Sequence, residues 1–159
     1  MTAALTAVIG CGKNQPPGPT YPSALHTLAV PDFDKRTLAG SKLDTKSLRG
    51  QVMVVKFFAE WCAPCKVTLP AAEQLHSKYD DVTFVGISLD ERQADAAALV
   101  QRFGLSFPVI IDRSHALQGR FRVTELPMTF VVDGQGVVQW IAGPGHSEEE
   151  LERAILAYR

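Results

Sequence analysis

The chain has 159 residues, 46% of them apolar and 21% charged, the balance of one globular domain with a sizeable core. Sixteen basic against seventeen acidic side chains leave a net charge of −1 with no basic arm or patch, so nucleic-acid binding has no electrostatic support. No apolar run reaches the length of about eighteen residues that a membrane-spanning helix needs, and three cysteines are too few for a disulfide-stapled miniprotein.

Residues 1–10 are small, apolar and uncharged, and Val8-Ile9-Gly10-Cys11 resembles a bacterial lipobox, whose cysteine is lipidated after signal cleavage. On that resemblance residues 1–11 are a signal and lipobox segment, and Cys11 carries a lipid anchor. Gly12 in the next position leans towards an outer-membrane destination. The plainer alternative is a disordered tail with a chance cysteine. Residues 12–27, with Pro16, Pro17, Pro19, Pro22 and Gly18, read as an extended, unpacked tether. A single folded domain is expected over 28–159.

Within it, Pro31 to Leu48 spaces apolar residues around Ala39-Gly40-Ser41, as a β-hairpin does. Residues 51–58 form an apolar run broken only by Lys56, which predicts a strand buried on both faces. A helix is expected over 63–79, kinked or broken at Pro70, then a buried strand over 82–89. Residues 93–103 read as a helix closed by Gly104, and 107–112 as a strand. A short helix near 114–120 and a strand over 128–132 come next. Asp133-Gly134-Gln135-Gly136 is a hairpin turn returning into a strand over 137–142. Ser147 and Glu150 form a capping box ahead of Leu151, Ala154, Ile155 and Tyr158, spaced as one face of a helix. Strands alternating with helices predict an α/β domain whose central sheet is covered on both faces.

The chemistry lies in Phe57-Phe58-Ala59-Glu60-Trp61-Cys62-Ala63-Pro64-Cys65-Lys66, a Cys-x-x-Cys pair where a buried strand turns into a helix. At the helix N-terminus, free N–H groups and the positive end of the dipole favour a thiolate on Cys62. Cys65, one turn on, is within reach to attack a mixed disulfide formed at Cys62. Pro64 stiffens the turn and removes one N–H, and Trp61 offers a flat apolar surface beside the reactive sulfur.

This region resembles thioredoxin, and the chain from about Val30 to Tyr158 is similar to the TlpA/ResA-type thiol-disulfide oxidoreductases. The matching features are Pro31-Asp32-Phe33 and Leu48-Arg49-Gly50 ahead of the active-site strand, and an additional strand–helix element over about 86–112. Leu126-Pro127-Met128-Thr129-Phe130 stands where that family carries its cis-proline. The resemblance implies a thioredoxin-like fold: a central mixed sheet flanked by helices, with an N-terminal hairpin and an inserted strand–helix element. It implies a protein disulfide oxidoreductase with no cofactor beyond the Cys62–Cys65 disulfide, acting as a monomer on disulfide-containing proteins. An exported, periplasmic or otherwise extracytoplasmic reductant is expected, recharged by a membrane thiol donor, for example in cytochrome c maturation. Pro127, if cis, would pack opposite the cysteines and leave the Leu126 backbone free to pair with a substrate strand.

Two positions depart from the family pattern. Where thioredoxin has a buried acid on the active-site strand, this chain has Lys56. Either its stem packs while the amine snorkels to an edge, or its amine tunes a thiol or relays a proton. Where many relatives carry a glutamate three residues after the second cysteine, this chain has Thr68. Glu60 can substitute for that acid or be a solvated loop carboxylate. His26, His76, His115 and His146 receive no role.

Four other readings compete. A zinc site needs two more ligands at a pair spacing, which the scattered histidines do not supply. A peroxiredoxin-like peroxidase places a threonine three residues before its reactive cysteine, where this chain has Ala59, and has no use for Cys65. The domain can also be a lipid-anchored binding module with idle cysteines. A purely structural Cys62–Cys65 bridge closes too short a loop to stabilise much.

Overall fold

Six consecutive buried residues, Met53–Phe58, form the middle strand of a five-stranded sheet in the computed structural model, which describes residues 17–159. In chain order the elements are β1 (Asp34–Arg36), β2 (Lys42–Asp44), a 3-10 turn (Thr45–Leu48), β3 (Met53–Phe58), α1 (Ala63–Lys78), β4 (Thr83–Ser88), α2 (Gln93–Phe103), β5 (Val109–Ile111), α3 (Ala116–Arg120), β6 (Met128–Val132), β7 (Val138–Ala142) and α4 (Glu148–Tyr158). The lipobox-like segment 1–11, with Cys11, and residues 12–16 lie outside the described residues.

The strand order is β5-β4-β3-β6-β7. β3 runs parallel to β4, and β4 to β5, through the helical crossovers α1 and α2. β6 is antiparallel to β3, and β7 to β6. This is the expected mixed sheet, and residues 86–112, read as a strand–helix element, hold the end of β4, all of α2 and β5. β1 and β2 form the expected hairpin, but it is shorter than Pro31–Leu48. Asp44 accepts the Lys46 N–H at 2.9 Å and draws the chain into the 3-10 turn that takes Leu48 out of the hairpin.

Two further expectations are corrected. α1 is not broken at Pro70 but continues through it as one element. A proline there removes a single donor, and the buried stripe Cys65, Leu69, Ala72 and Leu75 still seats the helix on the sheet. The packed part of the chain also begins before residue 28. Thr20 and Tyr21 donate to the Ile141 carbonyl, Thr27 donates to Val138, and Val30 to Gly136, while Leu25 is buried in the core. Residues 20–30 therefore lie along the free side of β7. The hairpin covers the opposite edge, where Leu38 donates to the Val109 carbonyl. Both sheet edges are thus closed by the chain's own backbone.

Register sorts side chains between the two faces. Val54, Lys56 and Phe58 pair with Phe84, Gly86 and Ser88 on β4, and Lys56 also pairs with Thr129 on β6. The ring of His76, on α1, lies 5.5 Å from that of Phe84, so this is the face that α1 covers. α1 packs in turn against α2 and α4. The opposite face carries the rings of Phe33, Phe57, Phe121 and Phe130 in mutual contact, the Phe57–Phe121 centroids 5.1 Å apart.

Candidate active site

β3 ends at Phe58, and the chain turns through Ala59-Glu60-Trp61 into α1. A buried carboxylate sets this turn. Both oxygens of Asp90 accept the Glu60 N–H, at 3.0 and 3.2 Å, and one accepts the Ser88 hydroxyl at 2.8 Å. The Cys62 N–H donates to the Ala59 carbonyl at 3.2 Å. Cys62 then caps α1: its backbone is extended, and its Sγ accepts the Cys65 N–H at 3.2 Å. A side-chain oxygen usually takes this position. A sulfur there receives an N–H bond and sits at the positive end of α1, both of which favour its thiolate. Pro64 falls in the first turn, where no intrahelical donor is lost.

Cys62 and Cys65 are joined by a disulfide, their Cα atoms 5.3 Å apart. Cys65 is fully buried, whereas Cys62 retains 4% exposure at the rim. Around that rim Trp61 is 68% exposed, and Ala63, Pro64 and Val67 also face solvent. The Leu126–Pro127 peptide is cis. Antiparallel pairing of Met128 with Phe57 brings residues 126–127 to the end of β3 from which the active-site turn leaves. Pro127 is buried there and Leu126 is half-buried.

Lys56 does not snorkel. It is 1% exposed, and its Nζ donates to Thr129 Oγ1 at 3.1 Å, with no carboxylate bonded to it. Burial pushes its ammonium down to about 7. Thr129 Oγ1 lies 3.4 Å from Nε2 of His146, whose Nδ1 lies 2.9 Å from the Gly143 carbonyl. Burial, helped by the Lys56 charge and opposed by the Gly143 bond and Glu150, pushes His146 down to about 4.

Glu60 is partly exposed and paired with Lys66 at 2.8 Å, a surface pair of small energetic weight. Thr68 donates to the Cys65 carbonyl at 3.3 Å. His26, His76 and His115 lie apart from the cysteines in sequence and in their bonding. Sequence reasoning missed Asp90, Thr129 and His146. A Ser-x-Asp closing a buried strand and a threonine inside an apolar run were usable signals for the first two, and His146 had none. Among the described residues no group of three His, Cys, Asp or Glu side chains is placed to hold a metal ion. Ala59, where the peroxidase scheme needs a hydroxyl, is buried and has none.

Residues 27–141 match the model of the AhpC/TSA family. The thiol-disulfide oxidoreductase ResA of Bacillus thuringiensis (strain Al Hakam) is 35% identical over 126 residues, covering 77% of this chain and 72% of the relative. The thioredoxin-like protein YneN of Bacillus subtilis is 31% identical over 132 residues, covering 79% and 76%. Among solved structures, a secreted Mycobacterium tuberculosis disulfide oxidoreductase homologous to DsbE of E. coli superposes with a TM-score of 0.73 at 26% identity, covering 79% of this chain and 95% of that one. With a Cys-x-x-Cys disulfide capping α1 on a thioredoxin-like sheet, the chain belongs to the AhpC/TSA family, as a thiol-disulfide oxidoreductase.

Proposed function

We propose that the protein is a reductant of protein disulfides outside the cytoplasm, in which Cys62 attacks and Cys65 resolves. The observation that carries this reading is the asymmetry of the pair. Cys62 lies at the rim as the cap of α1, and Cys65 is sealed one turn further in. In the reduced protein the Cys62 thiolate attacks a substrate disulfide, forming a mixed disulfide and releasing one substrate thiolate. Cys65 then loses its proton and attacks Cys62 Sγ, which closes the Cys62–Cys65 bond and releases the second substrate thiolate. Two electrons pass from the pair to the substrate, and no other cofactor takes part.

Trp61 and Pro64 form the apolar surface on which the substrate docks, and Leu126 with Pro127 offers backbone to an extended substrate segment. Lys56 tunes the buried thiol, and Glu60, held by Lys66, fixes the charge at the rim. The chain acts as a monomer, anchored by lipid at Cys11 and recharged by a membrane thiol donor. Maturation of cytochrome c is the substrate setting the resemblance favours. The secreted relative supports an extracytoplasmic location.

Insulin reduction tests the exchange directly. The wild-type protein with a dithiol donor precipitates insulin chains, and Cys62→Ser lowers that rate to background. A wild-type protein at background would refute the reading. For the direction, the Cys62–Cys65 midpoint is expected below about −200 mV, on the reducing side of an oxidising compartment. A midpoint near −120 mV, about that of a strong oxidant, would reverse it.

A further inference from the structure

The chain leaving β1 is bridged antiparallel to β5 at Thr37 and Ile110, which sets Lys35 and Arg36 beside the end of β5, where Arg113 follows. Lys35, Arg36 and Arg113, with Gln93 at the start of α2, line a cavity of about 350 Å³. Thr37 and Leu38 line this cavity and a second one of about 500 Å³, which continues beside α2 past Ala97 and Val100 to Leu105 and Phe107. Gln93, Ala97, Val100 and Gln101 are spaced i, i+4, i+7, i+8, so one flank of α2 forms the wall of both. Ala96 and Leu99, the residues α2 buries, take no part in it. The two cavities make one groove between α2 and the hairpin, cationic at one end and mostly apolar along the rest.

The charge at the cationic end is not met within the chain. Lys35, Arg36 and Arg113 join no ion pair among the described residues, and no carboxylate lines either cavity. Neighbouring carboxylates are engaged elsewhere. Asp34 pairs with Lys42 at 3.0 Å, Asp95 with Arg92, and Asp112 is buried and accepts the Gln118 N–H at 2.8 Å. Register brings this end of the groove to the cysteines. Phe58, Ser88 and Ile111 are level across β3, β4 and β5, and the active-site turn leaves from Phe58. Two strand spacings separate β3 from β5 and a third reaches β1, about 10–15 Å in all, a distance that about four or five extended residues span.

We propose that this groove holds an extended segment of the disulfide substrate, with acidic residues about four to six positions from the substrate cysteine and apolar residues beyond them. This deepens the reading that Cys62 and Cys65 exchange disulfides, and rests on it. Carboxylates of the segment pair with Lys35, Arg36 and Arg113, and its apolar side chains pack against Ala97, Val100 and Phe107. The segment crosses the strand ends and then follows α2, so seating it holds the substrate disulfide at Cys62. A free anion would use only the charged end, and a flat anionic membrane would leave the apolar part empty. A peptide chain uses both.

Single-turnover reduction of synthetic peptides tests this. Each peptide carries one cysteine bridged to cysteamine. The reduced protein closes its Cys62–Cys65 bond and releases the peptide thiol and cysteamine, and acid quenching with chromatography reads the peptide thiol. One peptide has the acidic and apolar residues at the stated spacing, a second has lysines for the acids, and a third has serines for the apolar residues, each made with the motif on either side of the cysteine. At low salt the acidic peptide should react about tenfold faster than the lysine peptide, a gap that narrows as added salt screens it. The serine peptide should lose roughly threefold or more of the acidic peptide's rate, the loss of a few buried methylene groups. Lys35→Glu/Arg36→Glu/Arg113→Glu should invert the preference for acid over lysine, and Lys35→Gln/Arg113→Gln, a milder change, should reduce it if the first variant does not fold. Ala97→Trp fills the groove without altering its charge, and should erase only the gain from the apolar residues. The same acid-to-lysine ratio in wild type and charge-altered protein would overturn the proposal, as would equal rates for the apolar and serine peptides. Cosedimentation with phosphatidylglycerol vesicles that charge reversal abolishes, with the peptide ratio unmoved, would overturn it in favour of a membrane contact. A wild-type protein that reduces none of the peptides would instead overturn the exchange reading itself.

Discussion

A lysine enclosed without a counter-charge makes the stability of this molecule depend on pH in a defined sense. Burial holds the Lys56 ammonium down to about 7, below its ordinary 10.5. Between those values the unfolded chain binds a proton that the folded chain does not, so stability rises with pH across that window. Below pH 7 the ammonium is carried buried and the full penalty persists. His146, pushed down from 6.5 to about 4, adds a rise of the same sign between those values. Lys56→Met should flatten the dependence above pH 7 and stabilise the protein at pH 6 by about 1–4 kcal/mol, the range seen when buried ionic groups are exchanged for apolar ones. Urea unfolding at pH 6 and at pH 9.5 measures both effects, and an unchanged slope would contradict the burial argument. At this scale the sequence was a partial guide. Cys62 and Cys65 stand out because two cysteines at that spacing, between an apolar run and a helix, have few other uses. Lys56 stands out because it interrupts the run. Which way its amine points is decided by Thr129 and His146, 73 and 90 residues away in sequence, and no local pattern encodes that.

At the scale of elements, the predicted order survived because periodicity and caps report it directly. The Ser147–Glu150 capping box is present with both of its bonds. Gly104 ends α2 in the left-handed conformation, at φ 61°, where a Cβ is unfavourable. The discrepancies arose where a local signal competed with packing. Pro70 is helix-breaking in isolation but tolerated on a helix whose buried stripe continues past it. The hairpin was overestimated because spacing alone does not separate a strand from a 3-10 turn. The close approach of β4 to its neighbours was invisible. A Cβ on Gly86 would come within 2.9 Å of the Phe58 ring, 3.0 Å of Val109 and 3.1 Å of Phe107. Gly86→Ala is therefore expected to cost about 1–3 kcal/mol through overpacking under the active-site turn. A change in the urea midpoint at constant slope measures it, and a neutral result would mean that Phe58 yields without cost.

Over the whole molecule, the segments outside the five-stranded sheet act as edge covers. The hairpin protects β5, and residues 20–30 protect β7, contributing Leu25 to the core. Proline-rich composition predicts a tether over 12–27, because a count of residue types does not register the backbone bonds that residues 20–27 make to a distant strand. A truncation lacking residues 1–16 keeps every described residue and serves as the reference. Deleting 1–29 uncovers β7 and removes Leu25, and should lower stability by several kcal/mol, as expected for losing a buried leucine together with its hydrogen bonds. Differential scanning calorimetry of the two truncations distinguishes a tether from a packed strap.

The division of labour between the two sulfurs is tested most directly by trapping. Cys65→Ser protein, reduced and then mixed with insulin, should accumulate a mixed disulfide that intact-mass and peptide mapping place on Cys62, while Cys62→Ser protein accumulates none. An adduct on Cys65 in the Cys62→Ser protein, or none on Cys62 in the Cys65→Ser protein, would contradict the assignment of attack to the rim sulfur and resolution to the buried one.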